Sequence, residues 1–126
     1  MIINPNSKWR QQTRIIRSGT ARSDNNETSE PIYLTSGYVY NSPEEAESKF
    51  LGEKEGYIYS RYGNPTVQSF EIKLSEIEGC EKSIATASGM AAVNATLMSL
   101  LKSGDHIISS RALFGSCRYI IEEILP

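Results

Sequence analysis

A predominance of either sign of charge is missing from this sequence: thirteen Lys+Arg stand against fifteen Asp+Glu in 126 residues, a formal net charge of −2. Such a mixed-sign chain has no electrostatic footprint for non-specific binding of nucleic acid or anionic membranes. Long apolar runs are absent too. None approaches the ~18 residues that span a bilayer, and Met1 to Arg22 has neither the apolar centre nor the small-residue cleavage site of a secretory signal. A cytoplasmic location is expected, with no nucleic-acid or membrane partner. Cysteine is scarce, and Cys80 and Cys117 are too few and too far apart for a disulfide or zinc framework. His106 has no second histidine, Asp-rich cluster or nucleophile at useful spacing, so no metal site is expected and it reads as structural. Cys80 reads as a buried small residue, and nothing near Cys117 marks its thiol as activated. At 39% hydrophobic and 22% charged residues, the composition is slightly lean but globular.

What is present changes character near residue 60. Residues 1–60 read as an extended N-terminal arm with one short helix. Arg22 to Pro31 offers almost nothing to bury, so it is ordered only where it lies against something else. Pro31 to Tyr40 is aromatic and β-branched but too irregular for a strand. Ser42-Pro43-Glu44-Glu45 has the hydroxyl cap, first-position proline and acidic first turn of a helix start, continuing until Gly52. Glu44, Glu45 and Glu47 read as its solvated face.

Residues 61–126 alternate more regularly. Asn64-Pro65-Thr66 opens a helix with Val67, Phe70, Leu74 and Ile77 on one face, stopping at Gly79. Lys82–Ala87 is a strand candidate, and Ser88-Gly89 turns into a helix marked by Met90, Val93, Leu97, Leu100 and Leu101. Gly104-Asp105 breaks that helix before a second strand candidate, His106–Ser109, and a last helix runs from about Ser116 to Leu125. This βαβα rhythm predicts an α/β fold with parallel pairing.

Three segments could carry chemistry. In Ala87-Ser88-Gly89-Met90-Ala91-Ala92 a strand enters a helix through a small-residue turn. The free N–H groups and positive dipole end there suit a phosphate, and a side chain at Gly89 would hold an anion off the backbone. An ordinary helix start explains the same residues and, on this motif alone, carries more weight. In Gly56 to Thr66, Arg61 stands among Tyr57, Tyr59 and Tyr62, which suits an anion clamp of guanidinium fork and phenol. A surface arginine stacked among rings fits equally well. Phe114, in Ala112-Leu-Phe-Gly-Ser116, follows the second strand, where ligands collect in parallel sheets. It could cover a flat heterocycle, although such a phenylalanine is more often core.

Taken together, these segments resemble the N-terminal part of the transsulfuration family, the pyridoxal-phosphate (PLP) enzymes of cysteine and methionine metabolism. The resemblance rests on Pro31-Ile-Tyr-Leu-Thr-Ser36, Tyr59-Ser-Arg-Tyr-Gly-Asn-Pro-Thr66, Leu74-Ser-Glu-Ile-Glu-Gly79, Ala87-Ser-Gly-Met-Ala-Ala92 and Gly104-Asp105, in the family's order and spacing. It covers the chain from about Thr13 to Pro126. Thr28 to Ser36 and Ala112 to Tyr119 look most like the O-succinylhomoserine sulfhydrylase branch. The fold so implied is an arm plus the first part of the large domain of a fold-type I (aspartate aminotransferase-like) enzyme, with an incomplete parallel sheet.

The resemblance also implies roles. Tyr59 and Arg61 would bind the cofactor phosphate of a neighbouring protomer in a homo-oligomer, a tetramer-of-dimers type of assembly. Gly89 and Met90 would give backbone N–H groups to the phosphate of the chain's own cofactor, and Phe114 would stack on the pyridine ring. Where many relatives carry tyrosine, Phe114 has no hydroxyl, a departure that fits the sulfhydrylase branch. The implied reaction is γ-replacement, in which sulfide displaces the acyl group of an activated homoserine ester to give homocysteine in methionine biosynthesis.

The family's Schiff-base lysine and the aspartate that pairs with the pyridine nitrogen are not matched here. None of the six lysines, Lys8, Lys49, Lys54, Lys73, Lys82 and Lys102, sits in the required context. No catalytic residue is therefore assigned, and the chain alone is not expected to turn over substrate. One expectation is a fragment completed by a complementary C-terminal polypeptide. The alternative is a non-catalytic remnant or interaction piece of a cystathionine γ-synthase or γ-lyase type of enzyme, made unstable by unpaired sheet flanks.

Overall fold

Three helix starts are capped by a side chain, that of Ser42, Asn64 or Ser88. A computed structural model describes residues 9–20 and 22–126; Met1–Lys8 and Ala21, part of the expected arm, lie outside these. The described residues fall into two units, one ending at Ile84 and one running from Ala85 to Pro126.

The first unit holds α1 (Gln11–Arg17), α2 (Pro43–Phe50) and α3 (Pro65–Glu78). At α2 the Ser42 hydroxyl accepts from Glu45 N–H at 3.2 Å, and the Glu45 carboxylate reaches back to accept from Asn41 N–H at 2.9 Å. This is a close variant of the capping box, with Pro43 filling a position that needs no donor. Lys49 and Lys54 both pair with the same carboxylate, at 3.2 and 2.9 Å. At α3 the Asn64 side chain accepts from Thr66 N–H. That helix ends at Gly79, whose φ of +66° is left-handed, and Cys80 N–H bonds back to the Ser75 carbonyl at 3.1 Å.

No side chain caps α1, which follows Arg10 directly. Its order comes from α3. Arg14 pairs with Glu76 at 3.3 Å, and the chain then turns at Gly19 against the side of α3. A Cβ on Gly19 would stand 2.7 Å from the Ser69 carbonyl oxygen, and φ there is +71°. Glycine is required for both reasons. Farther on, Glu30 accepts from Lys73 of α3 and, at 3.1 Å, from the Thr20 hydroxyl, so the Arg22–Pro31 stretch is tied down at its end. This packing explains why the unit boundary falls after Ile84, beyond the change in composition near residue 60: α3 belongs with the arm that it orders.

The second unit holds α4 (Gly89–Leu100) and α5 (Gly115–Tyr119), which runs on into a π-helical turn over Ile120–Ile124. The Leu125 N–H closes that turn on the Ile120 carbonyl at 3.0 Å. Ile120, 6% exposed, is the one buried apolar side chain among the described residues.

Two expectations are corrected. Lys82–Ala87 and His106–Ser109 are extended but enter no ladder, and the only β-pairing among the described residues is an antiparallel bridge between Gly37 and Tyr59. A parallel strand exists only through neighbours on its flanks. Without them Ile84 and Ile108 remain 83% and 88% exposed. Cys80 is exposed rather than buried, because it lies just beyond the Gly79 cap, with Sγ 3.4 Å from the Lys82 carbonyl. The predicted apolar face of α3 exists as a pattern, yet Val67, Phe70 and Ile77 are exposed. The face met by the Gly19 backbone, just after α1, is instead the one carrying Ser69 and Ile72.

Candidate functional site

The Tyr59–Gly63 turn is built on the segment before α2. Ser60 N–H donates to the Ser36 carbonyl at 2.9 Å, the Ser60 hydroxyl donates to the Thr35 carbonyl, and Gly37 bridges Tyr59. The turn closes on itself where Tyr62 and Gly63 N–H both reach the Tyr59 carbonyl, at 2.8 and 3.1 Å. Flanking tyrosines brace it: Tyr40 donates to the Ile58 carbonyl at 3.0 Å, and Tyr38 stacks on Tyr57 with ring centroids 5.2 Å apart. Partial burial, followed by the neighbouring Tyr38 and Tyr33 phenols, pushes the Tyr57 phenol above its usual range. Tyr57 therefore stays a neutral donor, here to Gln68 of α3.

On this platform Arg61 is exposed, its guanidinium carbon 5.6 Å from the Tyr59 ring centroid and 5.3 Å from that of Tyr62. Rings so placed attract the cation without consuming its N–H donors. Among the described residues no carboxylate pairs with it. Its planar fork is free for an anion.

In the second unit, the Ser88 hydroxyl accepts from Ala91 N–H at 3.1 Å and the Ser88 carbonyl from Ala92 N–H at 3.0 Å. The Ala92 bond is the first internal one, and of the four donors before it only Ala91 has a partner, so among the described residues the N–H groups of Gly89 and Met90, with that of the cap residue Ser88, remain. A Cβ built on Gly89 meets nothing within 4 Å, so the space before these donors is open. Met90 Sδ lies 3.9 Å from Cys117 Sγ of α5, which makes the first turns of α4 and α5 neighbours. Phe114 stands at the position before α5, where its carbonyl accepts from Arg118 N–H at 3.1 Å, and its ring is exposed. Thus Tyr59 and Arg61 meet in the first unit, and Gly89 and Met90 share a helix start beside that of Phe114 in the second.

The other candidates form no site. His106 is exposed on its extended segment, and no group of three or more His, Cys, Asp or Glu able to hold a metal occurs among the described residues. A hollow along α3, lined by Arg14, Ile72, Ser75, Glu76 and Cys80 among others, includes none of the five candidate residues. No helix among the described residues is long and apolar enough to cross a membrane. Sequence reasoning named Tyr62 beside Arg61 but missed Asn64 as part of the turn, because the contacts of Asn64 reach segments that no local pattern connects.

Comparison with known proteins places this geometry in context. Residues 12–126 match the family described as Cys/Met metabolism PLP-dependent enzyme. The chain is 54% identical over 116 residues to the O-succinylhomoserine sulfhydrylase of Mycobacterium tuberculosis, covering 92% of this chain and 29% of that protein. It is 46% identical over 104 residues to the protein of the same name from Pseudomonas aeruginosa, covering 82% and 26%. Among solved structures it resembles an O-acetylhomoserine (thiol)-lyase of Campylobacter jejuni that carries N'-pyridoxyl-lysine-5'-monophosphate. The TM-score is 0.86 at 30% identity, over 94% of this chain and 29% of that one. The chain thus spans less than a third of the length of these relatives, matching their N-terminal part. With a family match over nearly its whole length and the backbone of that part reproduced, the chain belongs to the PLP-dependent enzymes of cysteine and methionine metabolism.

Proposed function

We propose that this chain forms the phosphate-holding first part of an O-succinylhomoserine sulfhydrylase, an enzyme that replaces the succinyl group of the ester with sulfide. The observation that carries the reading is Arg61: exposed, held between two tyrosine rings and unpaired with any carboxylate among the described residues. A cation left so is suited to a phosphate. The fit of pyridoxal phosphate is tested by the space at Gly89, where a Cβ would have no neighbour, and by the two donors beside it. Both suit a phosphate.

In this reading Gly89 and Met90 N–H hold the phosphate of the chain's own cofactor, and Tyr59 and Arg61 reach the phosphate bound by a neighbouring copy. Phe114 lies against the ring, and having no hydroxyl it moves no proton. When bound, the cofactor supplies an electron sink for the substrate's carbanions. The lysine and aspartate that complete such a site come from polypeptide outside these 126 residues.

The test uses the chain alone and the chain joined with a polypeptide covering the rest of a family member. Alone, borohydride should fix no pyridoxyl group on any of the six lysines. Joined, the protein should retain the cofactor through gel filtration. Arg61→Ala should cut that retention about tenfold or more, since a hydrogen bond to a charged group contributes roughly 1.5–3 kcal/mol. Lys49→Ala should change it little, because Lys49 is engaged with Glu45 and the Tyr40 ring. Equal retention in the two variants would overturn the assignment of Arg61.

A further inference from the structure

The geometry points to Asn64 as a positioning residue that sets the Arg61 turn, beyond its capping of α3. A helix N-cap needs only a side-chain oxygen, and Ser, Thr, Asp and Asn supply it about equally well. The starts of α2 and α4 use Ser42 and Ser88. At α3 the residue is an amide, and it is only 8% exposed. An amide adds two N–H donors that serine and aspartate lack, and buried donors must be bonded.

Both are. While Oδ1 accepts from Thr66 N–H at 2.9 Å, Nδ2 donates to the Tyr33 carbonyl at 3.0 Å and to the Ser60 hydroxyl oxygen at 3.1 Å. Ser60 lies between Tyr59 and Arg61, and its own hydroxyl proton goes to the Thr35 carbonyl. Tyr33 is held from its other side as well, its N–H donating to the Thr66 hydroxyl at 2.9 Å. One buried amide therefore joins the Arg61 turn, the Tyr33–Thr35 segment and the first turn of α3. Ser60 and Thr66 also bond the Tyr33–Ser36 segment directly, and the amide is the one group that touches all three at once. Removing its donors frees the turn to move relative to the helix, and Arg61 moves with it. The assignment rests on the proposed phosphate role of Arg61 for its functional meaning, although the mechanical coupling is measurable without it.

The discriminating variant is Asn64→Ser, which keeps a capping oxygen and removes both donors. In the full chain, amide hydrogen exchange at Ser60, Tyr62 and Gly63 should accelerate about tenfold, while the amides of α3 beyond its first turn keep their protection. In parallel, the Arg61 side-chain N–H resonance is followed during titration with inorganic phosphate, and its affinity should fall about threefold or more. Unchanged exchange at the three turn amides would overturn the positioning role. If Arg61→Ala binds phosphate as the parent does, the phosphate reading fails, and the exchange data still decide the role of Asn64. Should Asn64→Ser lose α3, Ser60→Ala leaves the cap intact and removes one brace. It should accelerate exchange at the same amides, and no acceleration there would equally overturn the proposal.

Discussion

Single side chains in this protein do their work through the partners that hold them. Glu45 is the strongest case. The Asn41 backbone N–H, then Lys54 and Lys49, hold its carboxyl down to about 2 against an ordinary 4.5. A carboxylate whose folded pKa is depressed stabilises the fold fully above its unfolded pKa, and that contribution is lost as pH falls through the folded value. The start of α2 should therefore stay anchored at pH 4.5 and loosen only as the solution approaches about pH 2. Carbon-13 titration of the Glu45 carboxyl is the direct measurement, and an inflection near 4.5 would show that the three contacts do not hold in solution. Arg61 is held by neighbours of another kind. Rings hold it where a carboxylate would have satisfied it, which leaves its charge available.

At the scale of elements, local chemistry was legible and distant chemistry was not. Ser42, Asn64 and Ser88 announced three helix starts, and Gly79 a helix stop, because capping is decided within a few residues. The Gly89 turn and the tyrosine-flanked Arg61 could be read for the same reason. The helix α1 could not, since it has no cap and depends on Arg14 meeting Glu76 and on the Gly19 backbone lying against α3. Asn64 was legible as a cap and illegible as a brace, because its donors end on Tyr33 and Ser60. The strand candidates are extended but unpaired among the described residues for a related reason: a strand is a property of a pair. Gly19→Ala tests the docking of α1. It combines a left-handed backbone with a 2.7 Å approach to a carbonyl and should cost about 1–3 kcal/mol. The amides of α1 should lose exchange protection while those of α4 keep theirs. Equal protection in parent and variant would mean that α1 is not held through Gly19.

For the whole molecule, the dominant fact is how much apolar surface faces water. Leu34, Val39, Ile84 and Ile108 are almost fully exposed, and Phe70, Leu100 and Phe114 largely so. Spread over both units, such exposure suits the proposed completion of the site by further protein. A dye that fluoresces on apolar surface should bind the isolated chain strongly, and the signal should fall when a polypeptide covering the rest of a family member is added. A signal that did not fall would argue that these residues are not the seam. The same exposure has a thermal counterpart. Covering it removes apolar area from water, so completion of the protein should carry a large negative heat-capacity change and weaken on cooling. The joined protein should come apart more readily in the cold than at room temperature.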